Sequence, residues 1–213
     1  MLRLNKLRVE CRAVQAALVP VIVRYALFRL RGKNILTSNA VSIHGVENIT
    51  TEGLVKIGLT YVGFMDRYDR TLIRIKGRLR FKGSFSIGKG CRFDIGKDAT
   101  VELGSGFINS NTTLIIMHGL TLGAGCSVGW GCQFLDEDFH SLSYPGKSAG
   151  GDNRITVGSH VWIGSNVSIL KGSAIPDGCV VAAGSVVKTR FTDKSALIAG
   201  NPAKVVRKNV SWQ

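Results

Sequence analysis

The stretch Val157-Gly-Ser-His-Val-Trp-Ile-Gly-Ser-Asn-Val-Ser-Ile-Leu-Lys-Gly-Ser-Ala-Ile-Pro-Asp-Gly-Cys-Val-Val-Ala-Ala-Gly-Ser-Val-Val187 decides the fold. Six apolar residues, Val157, Ile163, Ile169, Ile175, Val181 and Val187, recur in it every six positions. Four places after the first five stand Val161, Val167, Ser173, Cys179 and Ser185, all small or apolar. Glycine or proline directly follows Val157, Ile163 and Ile175. A helix would place residues six apart on different faces, and a single strand would alternate without these regular breaks. A short strand and a tight turn repeated every six residues predicts a parallel β-helix, an all-β repeat fold.

The same register extends outward. Leu122, Val128 and Phe134 are six apart, with Cys126 and Cys132 four residues after the first two. Ile87 and Phe93 carry Cys91 at that offset, and Ile95, Val101 and Phe107 begin with Ala99. Between Phe107 and Leu122 the phase blurs. A 23-residue step then separates Phe134 from Val157, which predicts a loop over 135–156 thrown out from the coil. Loops held by a rigid scaffold often carry function. The organisation read from this is a basic amphipathic helical segment over 1–34 and irregular early β coils over 35–84. Regular coils follow over 85–190, then a C-terminal tail over 191–213.

Residues 2–31 read as helical, with Pro20 starting a second helix or kinking one. The uncharged run 13–23 is shorter than the ~20 apolar residues of a membrane span. Arg24 and Arg29 stand where a secretory signal would need small residues. Lys and Arg number 28 against 14 Asp and Glu, and residues 1–35 supply +7 of the +14. Such an excess favours anionic partners. Two readings of the segment stay open: a helix packed on the end of the coil or on another subunit, or a basic amphipathic helix lying on an anionic membrane surface. Nucleic acid is not expected, because no aromatic-basic stacking pattern or known module accompanies the charge.

Four of the five cysteines, Cys91, Cys126, Cys132 and Cys179, fall on the small inward position, where a thiol packs as a small hydrophobe. Buried unpaired thiols suit a reducing cytoplasm, so a cytoplasmic protein is expected, with peripheral placement on the inner face of the membrane as the extension of the helix reading. No CxxC or Cys/His metal spacing appears, and no metal is expected.

The loop after Phe134 holds the chemistry. It reads Leu135-Asp136-Glu137-Asp138-Phe139-His140, three consecutive acids in an acid-poor chain just before a histidine. A carboxylate beside an imidazole fixes its tautomer and stabilises its protonated form, as a general base requires. A solvated acidic loop is the plain alternative.

Three ordered stretches now carry a resemblance: Val157-Gly-Ser-His-Val-Trp-Ile-Gly-Ser-Asn166, Val181-Ala-Ala-Gly-Ser-Val-Val-Lys188 and Ala199-Gly-Asn-Pro-Ala-Lys-Val-Val-Arg207. With the preceding His loop they resemble the hexapeptide-repeat O-acetyltransferases, over about residues 85–208. These left-handed β-helix enzymes acetylate sugars of capsule, lipopolysaccharide and exopolysaccharide synthesis. The resemblance implies the left hand of the coil, a homotrimer, and acetyl-CoA as co-substrate in clefts between adjacent β-helices. It implies that His140, aided by Asp136, Glu137 or Asp138, takes the proton from a saccharide hydroxyl, and that a backbone N–H near Ser165 holds the oxyanion. It further implies that Trp162 walls the cleft and that Asn109 and Asn111 face the acceptor. Ala183 and Gly184 would let the pantetheine arm approach, while Lys188, Arg190, Lys204 and Arg207 would meet the CoA phosphates. One departure is that relatives usually read Thr-Lys-Asp where this chain has Lys188-Thr189-Arg190. His160 is expected to be simply exposed and His118 to be a turn residue. Two other functions compete: a zinc-dependent, carbonic anhydrase-like enzyme using His118, His140 and His160 contributed by two subunits, and a non-catalytic membrane-binding scaffold.

Overall fold

The computed structural model describes residues 4–60, 62–66, 68–140 and 151–213. Part of the expected 135–156 loop, 141–150, therefore lies outside the described residues, as do residues 2 and 3 of the expected helical stretch. Among the described residues the chain winds through three sheets of nine, seven and six strands. Strands of one sheet are neighbours in space but three apart in sequence, so every turn of the coil visits each sheet once. All pairings are parallel except the last, between Leu197–Gly200 and Ala203–Arg207. The first face starts at Ile35–Thr37 and ends in that hairpin; the second runs from Val41–His44 to Val186–Val187; the third runs from Ile49–Thr51 to Ala174–Ile175.

The six-residue period maps onto this directly. Val157, Ile163 and Ile169 lie on the third, first and second faces, and Ile175, Val181 and Val187 repeat that order one coil later. All six are at most 2 % exposed. Inward residues stack in columns: Ile87, Ile108, Val128, Ile163, Val181 and Ile198 on the first face, and Phe93, Leu114, Phe134, Ile169 and Val187 on the second. Burying each such side chain contributes about 1.5–3 kcal/mol.

The early coils are not irregular. Paired strands begin at Ile35, and only the step is longer: Ile35 pairs with Val55, whereas Trp162 pairs with Val180, 18 residues on. Counting in sixes fails there because the second-face strands are longer, as in Arg92–Ile95. Phe107 is the casualty. It points outward and is 41 % exposed, while Ile108 takes the interior column. A slip of one residue in a strand reverses its faces. A second excursion, 58–70, leaves the corner after Val55–Ile57 and has no counterpart in the six-residue pattern.

The corner between the first and second faces shows why the turns read as they do. Gly90, Asn111, Gly131, Asn166 and Gly184 stack there, all with φ between 57° and 73°. Glycine and asparagine tolerate that left-handed conformation best. The residue directly after is small and closes the corner: Cys91, Thr112 and Cys132 donate from their side chains to the carbonyls of Asn109, Gly129 and Gly164 on the following coil.

The helices α1 (Leu4–Ala13) and α2 (Leu18–Leu30) cover the start of the first face. Leu7, Cys11, Val14 and Val21 pack with Leu36, an outward residue of the first strand that is thereby only 1 % exposed. Pro20 lies in the first turn of α2, where its missing N–H costs nothing. Packing accounts for one side of α2 only. Val19, Val23, Leu27 and Leu30 form a stripe on the other side, 52–84 % exposed. Among the described residues no single helix is long and apolar enough to cross a membrane; α1 and α2 pass that test only together and are bent by 119°.

All five cysteines are free and buried, and burial pushes the Cys91 thiol up to about 12. The native protein should therefore be silent to Ellman's reagent at pH 8 and yield five thiols in guanidinium. A fast-reacting thiol in the folded state would show that one of these corners is open.

Candidate active site

Outward residues of the first face form a ladder in register: Lys56, Ser86, Phe107, Ser127, Trp162, Val180 and Leu197. A cleft of about 500 Å³ runs along its later part. Phe107, Trp130 and Trp162 are its aromatic walls, Asn109 stands at one end, and the corner backbone at Gly164, Ser165, Ala182 and Ala183 forms its edge. The three aromatic rings are 41–45 % exposed. A concave site that is mostly apolar, with a few convergent polar groups, is the usual form of a small-molecule pocket. Small residues at 164, 165, 182 and 183 keep that edge low, so an extended chain can lie against the backbone.

The structure thus brings together Trp162, Ser165, Ala183 and Asn109, with Gly184 at the adjoining corner position. Asn111 is turned to another task. Its φ is 60°, its amide nitrogen lies 3.5 Å from the Met65 sulfur, and its amide oxygen fills the space over Gly90. It is a turn residue of the corner column, which corrects the expectation that it faces the acceptor.

Lys188 and Arg190 follow the last second-face strand, and the Arg190 guanidinium reaches the Gly172 carbonyl at 3.4 Å. Lys204 and Arg207 lie on the terminal hairpin beside the first face. The four expected CoA-binding cations therefore belong to two different edges of the coil.

His140 stands at the same corner of the coil as Lys188 and Arg190. It follows the second-face strand Gln133–Leu135, on the loop that leaves the corner between the second and third faces, and it is exposed. Asp136, Glu137 and Asp138 are each engaged with a group other than the His140 ring. The buried Asp136 carboxylate accepts the backbone N–H groups of Met117, His118 and Gly119 at 2.6, 2.8 and 2.7 Å. Glu137 accepts from His118 Nε2 at 2.7 Å, and this hydrogen bond holds the Glu137 carboxyl below its ordinary range. Asp138 pairs with Lys171 at 2.7 Å, which raises the lysine. The acids root the loop, and the imidazole extends beyond them. Among the described residues its ring contact is Nδ1 with the Asp138 carbonyl at 3.4 Å.

His160 is exposed and His118 stands in the bend between two strands, as expected, and each also has ring partners. His118 is the residue that holds Glu137, with the Asn153 amide nitrogen 3.3 Å away. His160 is clasped by the C-terminus: its ring stacks on Trp212 at 4.2 Å, and the Trp212 indole N–H donates to the His160 carbonyl. The Trp212 ring also stands 6.2 Å from that of Trp162. His118 and His160 thus lie at different corners with their rings engaged. Among the described residues no group of three or more His, Cys, Asp or Glu is arranged to hold a metal.

Sequence reasoning missed Trp130, Phe64 and Trp212. Trp130 stands between two glycines at a corner, and only the 20-residue register of the earlier coils reveals it as outward. Phe64 meets it edge-on at 5.9 Å from the 58–70 excursion.

Asp136→Ala would strand three backbone donors now satisfied by one buried carboxylate. It should lower stability by about 3 kcal/mol in chemical denaturation, as loss of hydrogen bonds to a charged acceptor does. A loss below about 0.5 kcal/mol, the level of an ordinary surface change, would mean that the carboxylate is not the root of the loop.

No family model matches the chain. It is 40 % identical over 214 residues to an uncharacterized 24.8 kDa protein in the cps region of Klebsiella pneumoniae, an alignment covering 99 % of this chain and 96 % of that one. It is 29 % identical over 142 residues to the polysialic acid O-acetyltransferase of Escherichia coli O1:K1, across 66 % of this chain and 44 % of that enzyme. Among solved structures, the hexapeptide-repeat acetyltransferase VCA0836 of Vibrio cholerae covers 98 % of this chain and 93 % of its own, with a TM-score of 0.53 at 23 % identity. With its three-faced parallel coil, six-residue repeat and relatives of this kind, the chain belongs to the hexapeptide-repeat acetyltransferase family of left-handed parallel β-helix enzymes.

Proposed function

We propose that the protein transfers the acetyl group of acetyl-CoA to a saccharide hydroxyl, in capsule, lipopolysaccharide or exopolysaccharide synthesis, and that it does so as a homotrimer. The observation that carries this reading is the separation of the parts. The aromatic cleft lies on the first face and its corner with the second, while His140 leaves the corner between the second and third faces. One chain keeps them apart, and packing one coil against its neighbour joins the cleft of one subunit to the His140 loop of the next. Closed rotational symmetry repeats that contact three times. The division of the cations supports the same arrangement, with Lys204 and Arg207 from one subunit and Lys188 and Arg190 from the other flanking the CoA phosphates.

In this reading Nε2 of His140 takes the proton of the acceptor hydroxyl as its oxygen attacks the thioester carbonyl. The tetrahedral oxyanion is held by the backbone N–H at Ser165, a fixed dipole of the kind that stabilises acyl-transfer intermediates. The intermediate collapses with cleavage of the carbon–sulfur bond. The imidazolium then returns its proton to the CoA thiolate. Asp136, Glu137 and Asp138 act as positioning residues for the loop.

The exposed stripe of α2, with Arg29 and Arg31 beside it, supports a place for the enzyme on the inner surface of the membrane. Each basic residue near such a surface adds roughly 1 kcal/mol.

His140→Ala should lower transfer by at least ~100-fold, the usual scale for a lost general base, with CoA affinity nearly unchanged. Mass spectrometry of nucleotide sugars and lipid-linked saccharides incubated with acetyl-CoA supplies the assay. His140→Ala and Trp162→Ala, each impaired alone, should regain about a quarter of wild-type activity when co-expressed, because mixed rings contain some intact sites. No regain would place the whole site within one chain.

The full chain should co-sediment with phosphatidylglycerol vesicles at low salt and lose that binding on Val23→Asp with Leu27→Asp. Both residues are on the unpacked side of α2, so the fold is spared. Equal sedimentation of the double variant would assign the stripe to another partner.

A further inference from the structure

A second cleft, of about 510 Å³, adjoins the first on the side away from the terminal hairpin. Thr60 and Val62 of the 58–70 excursion form its roof, Ser86 and Phe107 of the first face its floor, and Asn109 and Trp130 stand at the junction of the two clefts. We propose that this second cleft is the acceptor subsite and that it takes an uncharged saccharide unit. The inference rests on the acetyltransferase reading above and adds to it the class of acceptor and the segment that selects it.

Three observations carry it. The first is chemical. The cleft offers half-exposed aromatic rings at Phe107 and Trp130, two hydroxyls, and one amide. Aromatic rings pack against the C–H face of a sugar ring, while hydroxyl and amide groups exchange hydrogen bonds with its hydroxyls. Thr60 and Ser86 hydroxyls lie 2.9 Å apart and satisfy one another until a ligand arrives.

The second is electrostatic. None of the described residues that line this cleft carries a charge, in a protein of net charge +14. The nearest cation on the same outward ladder, Lys56, is 2.6 Å from Glu10 of α1 and is neutralised by it. Burying an anionic carboxylate or phosphate beside neutral groups would carry a desolvation cost with no return. The cleft is therefore unsuited to an acidic sugar, in contrast to the polysialic acid acceptor named for one relative.

The third is the way the roof is held. Phe64 packs edge-on against Trp130 at 5.9 Å and 74°. The buried Lys89 ammonium donates to the Asp66 carbonyl at 2.7 Å and to the Val14 carbonyl at 2.8 Å, joining the excursion to the helical segment and the coil. Asp66 and Asp69 brace the loop internally, since the Asp66 backbone N–H donates to the Asp69 carboxylate. Phe64 and Asp66 thus hold the middle of the excursion to the coil.

The test uses the full chain and saturation-transfer NMR with two probes, a neutral galactose oligosaccharide and oligosialic acid, with acetyl-CoA turnover followed separately. The neutral probe should bind the wild type and oligosialic acid should not. Ser86→Trp, which fills the floor from an outward position, should abolish the neutral signal. Phe64→Ala removes an exposed ring and should weaken binding roughly three- to tenfold. Thermal melting confirms that each variant folds, and Phe64→Ala keeps the test alive if Ser86→Trp does not. The proposal is overturned if neither probe binds, if oligosialic acid alone binds, or if the folded variants bind the neutral probe as the wild type does. An enzyme that binds the neutral probe here yet never turns over acetyl-CoA would overturn the catalytic reading and leave the saccharide site standing.

Discussion

Each coil of this chain hands its backbone hydrogen bonds to the next: Gly88 N–H to Ile108 C=O, Gly129 to Ile163 and Gly164 to Val181, all at 2.8 Å. Because these contacts are parallel and in register, equivalent residues sit one strand spacing apart, about 4.8 Å. Inside, this stacks Ile on Val on Ile in columns and excludes water from the backbone ladder. Outside, it fixes a row of side chains with almost no freedom to drift. Ser86, Phe107, Ser127 and Trp162 owe their mutual spacing to that ladder rather than to contacts among themselves. A site mounted in this way is pre-organised by the same bonds that stabilise the fold.

The ladder also dictates where the chain can be interrupted. An insertion within a strand would break the register of every later coil, whereas a corner can release and recapture the chain between two unchanged strands. Both long excursions obey this. The 58–70 segment leaves between the first and second faces, and the segment after Leu135 leaves between the second and third. Their roots are tied by different means. Lys89 holds the first through carbonyls, and Asp136 holds the second through three backbone N–H groups. Each is a buried charge whose cost is offset by hydrogen bonds to fixed dipoles.

Legibility in the sequence follows the same physics. From 157 to 187 strand and turn together take six residues each, so one side chain per face reports the whole coil. Earlier, four- and five-residue strands such as Thr71–Ile75 insert extra inward positions, and the period disappears although the architecture does not change. Phe107 was misread for that reason. The small inward position was legible as cysteine at 91, 126, 132 and 179 but passed unnoticed as Thr71 and Thr112, which make the same donation to the next coil. The acids at 136–138 were visible as a cluster, yet their partners, His118, Lys171 and three backbone amides, are distant in sequence. Proximity along the chain suggested His140 where proximity in space selects others. His160 is exposed as its sequence context suggests, but its stacking on Trp212, 52 residues away, leaves no local signal.

A coil built from parallel ladders leaves an open edge at each end, and an open edge invites pairing with another chain. This chain closes its ends by helix and by hairpin. At the start α2 lays Phe28 into the main core beside Ile35 and covers the outward Leu36. At the other end Ala203–Arg207 turns back antiparallel on Leu197–Gly200, so the nine-stranded face terminates in a strand that runs against all the others. The antiparallel turn-back also carries the last residues across the side of the coil, which is what lets Trp212 reach His160 and stand beside Trp162. The device that ends the repeat therefore brings Trp212 beside Trp162, and the other end device leaves an apolar stripe facing outward. The two ends of the coil differ in chemistry because each was closed by a different kind of element: Lys204 and Arg207 stand on the hairpin, while Val19, Val23, Leu27 and Leu30 line the open side of the helix.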